Sequence, residues 1–279
     1  MLVPFSAGKL FEFRPENSFY EYNVVIKIEK GETINEIKYN ASVRWLKKEN
    51  NLHYFEIDRI TDIFINEEEV NDMADLLAYK TSKVLYPLQI SADRFGKYES
   101  VENLDVFNAR WIKVKEQIYK DFEGELVDQY LGIIENKLEN PEIISELINN
   151  DYFIRTLFFG VYQMYGKSYK IGGEDSFPIV KNIEEPIYKI EIKIDPLLDE
   201  YNLVHITGKG ILHDQRTRND FINENPFSNR TVYNEDGNFR LQYYMNAKTG
   251  MSEFIYLECD IALDEKKTIS VAISNIDQN

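Results

Sequence analysis

Tyr20-Glu21-Tyr22-Asn23-Val24-Val25-Ile26-Lys27-Ile28 sets Tyr20, Tyr22, Val24, Ile26 and Ile28 on one side of an extended chain. A period of two residues marks a strand half-buried on one face. Outward from this stretch the pattern repeats. A turn at Lys30-Gly31 leads to Ile37, Tyr39, Ala41, Val43 and Trp45 in alternation, and Asn50-Asn51 turns the chain into a third strand near 52–57. These segments form an antiparallel meander. Asn66 followed by Glu69 has the form of an N-cap and capping box, and Val70, Met73, Ala74 and Leu77 then predict a helix over 67–80. A short strand through Ile90, a turn at 93–97 and a return strand through Val101 follow.

The period then changes. Phe107, Trp111, Val114 and Ile118 recur at helical spacing, 126–138 continues in the same way, and Asn140-Pro141 supplies a cap and a first-turn proline. The spacing predicts a mostly helical block over 105–165, whose last helix, 151–165, carries Phe153, Leu157, Phe158, Val161 and Tyr165 and is the most apolar. A breaker cluster at 166–175 closes the block. Beyond it Tyr188, Ile190, Ile192 and Ile194 alternate, and a second strand spans 201–212. Phe239, Leu241, Tyr243 and Met245 share one face, Ile255, Leu257, Cys259, Ile261 and Leu263 the next, and Ile269, Val271 and Ile273 the last.

The result is an α+β chain, two antiparallel β-meanders around a central helical block. It divides into strands with one helix (1–104), the helical block (105–166) and a second sheet (167–279), read together as one compact unit. Two arrangements fit. The meanders either pair into one long curved sheet wrapped over the helices or form two sheets sharing a helical bridge. The first resembles bacterial lipid carriers and lipoprotein chaperones in fold alone, with no shared motif.

Thirty-two Lys and Arg stand against 48 Asp and Glu, a net charge of -16. Such a field repels phosphate backbones and anionic lipid and attracts basic partners, so no nucleic-acid partner is expected. No apolar run reaches the length of a membrane span, and the N-terminal residues lack the basic and apolar regions of a signal peptide. One cysteine rules out an internal disulfide and a cysteine-based zinc cage. Together these predict a cytoplasmic protein, and the abundance of Asn, Ile, Lys, Tyr and Phe suggests a low-GC bacterial source.

No motif names a reaction. Gly172-Gly173-Glu174-Asp175 and Gly208-Lys209-Gly210 lack the setting of a phosphate loop and read as turns. No nucleophile elbow or His-Glu-x-x-His occurs, and Cys259 on the apolar side of its strand reads as structural. His205 and His213 do not have a metal spacing; the first reads as a sheet residue with a satisfied hydrogen bond and the second as solvated. The expectation is therefore no catalytic residue, no metal and no cofactor.

What stands out is the polar stretch 213–240. It holds four of the ten arginines and isolated aromatics on a background of Asn, between two clear strands. Long segments without secondary structure are uncommon in compact domains unless they bind something or are disordered. Arginine with aromatic anchors is the composition of recognition surfaces, which singles out Arg216, Arg218, Phe221, Phe227 and Arg230 as candidate partner-binding residues. The leading function is a non-catalytic acidic protein-binding protein of the bacterial cytoplasm, such as an immunity protein or secretion-system adaptor. The alternative is a carrier of an apolar small molecule or lipid, with a cavity lined by Tyr22, Ile26, Tyr243 and Ile255.

Overall fold

The alternation at 20–28 is the middle of β1 (Phe19–Lys30), followed by β2 (Thr33–Glu49) and β3 (Leu52–Arg59). The chain continues through β4 (Phe64–Ile65), β5 (Glu68–Glu69), α1 (Met73–Ser82), β6 (Leu88–Ala92) and β7 (Tyr98–Val101). Next come α2 (Phe107–Asp121), α3 (Glu125–Leu138), α4 (Pro141–Asn149) and α5 (Tyr152–Leu157). The rest comprises β8 (Lys170–Ser176), β9 (Ile187–Ile194), β10 (Leu203–Leu212), α6 (Arg218–Ile222), β11 (Asn238–Asn246), β12 (Ser252–Ala262) and β13 (Lys266–Asn275). This is a computed structural model, and it describes residues 11–15, 19–180, 183–226 and 231–276.

The strands lie in the order β7-β6-β3-β2-β1-β13-β12-β11-β10-β9-β8, with the small β4–β5 hairpin attached to β2. Every pairing is antiparallel. β1 and β13 pair from Tyr22↔Asn275 to Lys30↔Lys267. That ladder decides between the two arrangements, because it joins both meanders into one curved, unclosed sheet.

Alternation gives this sheet one continuous apolar face. Along a single cross-strand row stand Ile206, Tyr243, Ile255, Ile273, Val24 and Tyr39, all buried. The helices cover it. α1 to α4 pack on one another in succession, and α5 lies against β1, β12 and β13 at the centre. Phe153 meets Tyr39 edge-on at 6.2 Å, and the buried Tyr243 hydroxyl donates to the carbonyl of Thr156. Beyond α5 the chain runs extended beneath the sheet, where Phe158 packs on Phe55 (4.9 Å) and Phe159 on Phe239 (5.4 Å). Each of these rings removes a large apolar area from water, on the order of 2–3 kcal/mol per side chain.

Four local expectations are corrected. The Asn66–Glu69 pattern is no capping box. Asn66 and Glu67 take φ 53° and 68° as the two-residue turn between β4 and β5, a conformation Asn tolerates, and Asn66 Oδ1 accepts the Glu36 N–H at 2.8 Å. Helix α1 starts later, where Asp72 caps Ala74. The predicted helix over 151–165 stops at Leu157, since Gly160 adopts φ 95° and Phe159 pairs with Lys97 instead. Gly172 and Gly173 lie within β8, and Gly208 and Gly210 within β10, rather than in turns. A Cβ on Gly210 would sit 2.7 Å from the Lys189 carbonyl oxygen, so this strand crossing requires glycine.

One core residue makes the fold sensitive to acid. His53 is buried on the inner face, 5.0 Å from the Phe13 ring, and its Nδ1 has no partner among the described residues. Burial pushes its pKa down to about 4, with Lys48 adding to the effect and Asp93 opposing it. The unfolded chain therefore takes up a proton near pH 6.5 that the native protein refuses until about pH 4, so stability falls as pH drops through that window. Urea unfolding is expected to show a loss of about 2 kcal/mol from this site between about pH 7 and pH 5, and His53→Phe should remove that part. An unchanged pH slope in the variant would count against it.

Candidate functional site

The described residues between β10 and β11 form a loop whose two ends are pinned together, while the last three residues of the polar stretch, 238–240 with Arg240, belong to β11. The Leu212 N–H donates to the Gly237 carbonyl at 2.9 Å, and the Asn234 N–H to that of Asp214 at 2.7 Å. The loop is not devoid of structure. Thr217 and Asp220 form a capping box that starts the five-residue helix α6. The sequence signal was present there, and the loop composition around it masked it.

Arg216 and Phe221 are inside the protein. Arg216 Nη2 lies 2.6 Å from Asp214 Oδ2, with both side chains 5% exposed. Its Nε donates to Asp214 Oδ1 (2.9 Å), Nη1 to the Glu184 carbonyl (2.8 Å) and Nη2 to that of Glu185 (3.0 Å). The guanidinium stacks 4.6 Å over the buried Phe221 ring. Burial raises the Asp214 carboxyl pKa, but its hydrogen bonds from Arg216 and the Ile187 amide outweigh that and leave it lowered. This knot fixes the loop to the turn before β9. Neither side chain is presented to a partner in this conformation.

Arg218 is half exposed and reaches Asp264 at 3.4 Å. Phe227 and Arg230 lie outside the described residues. Val232, which composition gave no reason to single out, is 75% exposed, and Tyr233, one of the isolated aromatics of the stretch, is 42% exposed; both are outward apolar groups of the loop. Tyr233 stacks on His213 at 3.8 Å, and His213 Nε2 approaches Glu174 Oε1 on β8 at 3.5 Å. His213 is thus part of a stack rather than solvated. His205 stacks on Tyr244 at 4.4 Å, and its Nε2 is buried without a partner among the described residues, contrary to the expected satisfied bond. Among the described residues no three metal-ligating side chains converge.

Open clefts mark the surface formed by the described residues. One of about 640 Å³ runs over β8, β9 and β10, along Gly172, Glu174, Lys189 and Lys209. Another of about 710 Å³ surrounds Arg59, Lys83, Asp62 and Tyr79, and a third of about 400 Å³ lies by Asn23, Asn40 and Thr61. Arg59 stands between the rings of Tyr39 and Tyr86, 4.8 Å from each centroid, and donates to Ser82 Oγ (3.1 Å) and the Tyr86 hydroxyl (3.2 Å). Burial pushes Tyr86 up to about 12, with Arg59 opposing the rise. Cys259 is fully buried and its thiol is raised well above the usual range by the same cause. The four residues expected to line an apolar cavity, Tyr22, Ile26, Tyr243 and Ile255, are buried in the same core as α5.

No protein-family model matches the chain, and no curated protein matches it. Among solved structures, one described as lipid–protein interactions in lipovitellin aligns with a TM-score of 0.48 and 8% identity over 95% of this chain. The chain spans about a quarter of that chain's length (25%), and the functional reading rests on its own residues. Among the described residues no helix is long and apolar enough to cross a membrane.

Breaking the buried pair leaves one charge stranded. Arg216→Ala and Asp214→Asn should each cost about 3–5 kcal/mol of stability, whereas Arg218→Ala should stay within about 0.5 kcal/mol of the parent. Denaturant melts of the three variants check this, and equal stabilities would contradict the assigned role of Arg216.

Proposed function

We propose that this chain is a non-catalytic acidic protein-binding protein of the bacterial cytoplasm, of the immunity-protein or secretion-adaptor kind, which engages a basic partner through its outer surface. One observation carries the reading: α5 and the extended segment after it occupy the concave face of the sheet. The chain spends its inner apolar surface on itself. What it offers a partner is therefore the outside.

That outside has the parts a recognition surface needs. The net charge of -16 steers a basic partner into contact. Exposed apolar side chains supply anchors. Ile112 and Tyr119 share a face of α2, Leu126 and Ile133 a face of α3, and Ile143 and Leu147 a face of α4. The loop between β10 and β11 adds Arg218, Val232 and Tyr233, held in place by the Asp214–Arg216 knot. Phe227 and Arg230 belong to the same polar stretch of the sequence.

Cross-linking in native lysate, followed by binding kinetics with the captured protein, tests this. Association should slow as salt rises, and the double variant Arg218→Ala, Tyr233→Ala should bind about fivefold or more weakly while melting like the parent. Recovery of a stoichiometric apolar small molecule in place of any protein partner would replace this reading with a carrier.

A further inference from the structure

The strand β8 ends the sheet, and its ladder runs to β9 alone. The surrounding bonds show which of its backbone groups face the open side. The Tyr169 carbonyl accepts from the Ile194 N–H at 3.0 Å, toward β9. The Lys170 carbonyl accepts instead from Gly166 at 3.4 Å, and that of Ser176 from Arg155 Nη2 at 2.8 Å. Ile187, opposite Ser176, turns both its backbone groups toward β10, its N–H to Asp214 and its carbonyl to the His213 N–H. Alternation then points the N–H and C=O of Gly172 and Glu174 outward. Both residues are exposed, and no described residue bonds to those four groups.

Free strand edges are usually blunted, because they template pairing with another chain. Here the blunting stops short of the middle. Gly166 and Arg155 cover the two ends of β8, and on the opposite edge of the sheet Phe158 takes the Tyr98 N–H at 3.2 Å. The window between them stays open.

Side chains beside the window define what fits it. On the outer face Gly172 heads a cross-strand row through Glu191 and Lys209, and Glu174 heads the row through Lys189 and Ile211. Gly172 has no side chain, so the 640 Å³ trough opens directly onto the edge. A strand added here sets one side chain against Glu174. The side chain two residues away lies over Gly172, within reach of Glu191, whose present partner Lys170 is an exposed pair at 2.7 Å.

We propose that β8 is a docking strand for an extended, basic segment of a partner protein. The segment pairs its main chain with Gly172 and Glu174 and sets cationic side chains, two residues apart, against Glu174 and Glu191. This rests on the protein-binding reading and names the part of the partner involved. A second copy of the chain fits less well, because it brings its own Glu174 and a further charge of -16 to the same edge.

The test uses a fluorescein-labelled, end-blocked heptapeptide of alternating Lys and Val, its Glu counterpart, and a version N-methylated at alternate amides, titrated at low salt by anisotropy. Gly172→Pro removes an N–H that faces away from β9 and so spares the ladder, and Glu174→Lys leaves the backbone unchanged. Saturable binding of the Lys peptide to the parent is expected, about tenfold weaker to either variant and to the N-methylated peptide, with no binding of the Glu peptide. Should Gly172→Pro fail to melt cooperatively, Glu174→Lys and the N-methylated peptide decide. Equal binding across peptides or variants would overturn the proposal, as would a parent dimer that Gly172→Pro dissolves. A lysate partner captured equally by these variants would overturn the edge and leave the protein-binding reading on another surface.

Discussion

The structure depends on the packing of α5 and the extended segment that follows it against the concave face of the sheet. A curved sheet of this length exposes one continuous apolar face, which must be covered for the fold to persist. Here the cover is a short helix from the chain's own middle, seated on β1, β12 and β13, the strands where the N- and C-terminal parts meet. Tyr243 and Thr156 join the cover to the sheet through a hydrogen bond in the core. The same segment reaches both edges. Phe158 and Phe159 pair with Tyr98 and Lys97 at the start of β7, and Arg155 holds Ser176, the last residue of β8, together with Glu185.

From that packing follows the distribution of possible functions. A face filled with aromatic rings is a core, and the groups left for recognition are the helix surfaces, the loop between β10 and β11 and the outer sheet. The loop shows how burial reassigns a composition signal. Arginine beside an aromatic ring is a common anchor at interfaces, yet Arg216 and Phe221 form that pair within the protein, where it fixes the loop's path. The exposed Tyr233, Val232 and Arg218 owe their positions to it.

The strands were legible because their side chains alternate between a buried and a wet face, and the register of β1 with β13 keeps the alternation read at 20–28. What the sequence left open was which edges meet. Pairing between segments some 250 residues apart has no local signature, so one sheet and two sheets read alike. The helix over 151–165 was misread for a related reason. Its apolar spacing suits a helix, but a fully buried extended segment needs apolar residues all round, and only the positive φ of Gly160 separates the two. The glycines of β10 read as a turn because close strand approach and chain reversal both call for a missing side chain, whereas those of β8 sit where a Cβ would fit and the structure gives no steric reason for them. In the candidate surface Tyr233 was visible as an isolated aromatic, whereas the open backbone groups of Gly172 and Glu174 belong to the topology and leave no trace in residue type.

Native-state hydrogen exchange at α5 tests the central claim, that the concave face stays filled and recognition is left to the surface. The Arg155 and Phe158 amides, bonded to the carbonyls of Asp151 and Ile154, report opening of the cover, and amides of β1 and β13 report global unfolding. The account predicts that both sets exchange with the same opening free energy and the same denaturant dependence. Exchange at α5 several kcal/mol easier than at β1 and β13, on the order of 3 or more, would mean that the cover lifts while the sheet persists. The concave face would then be open to a ligand, and the account would be contradicted.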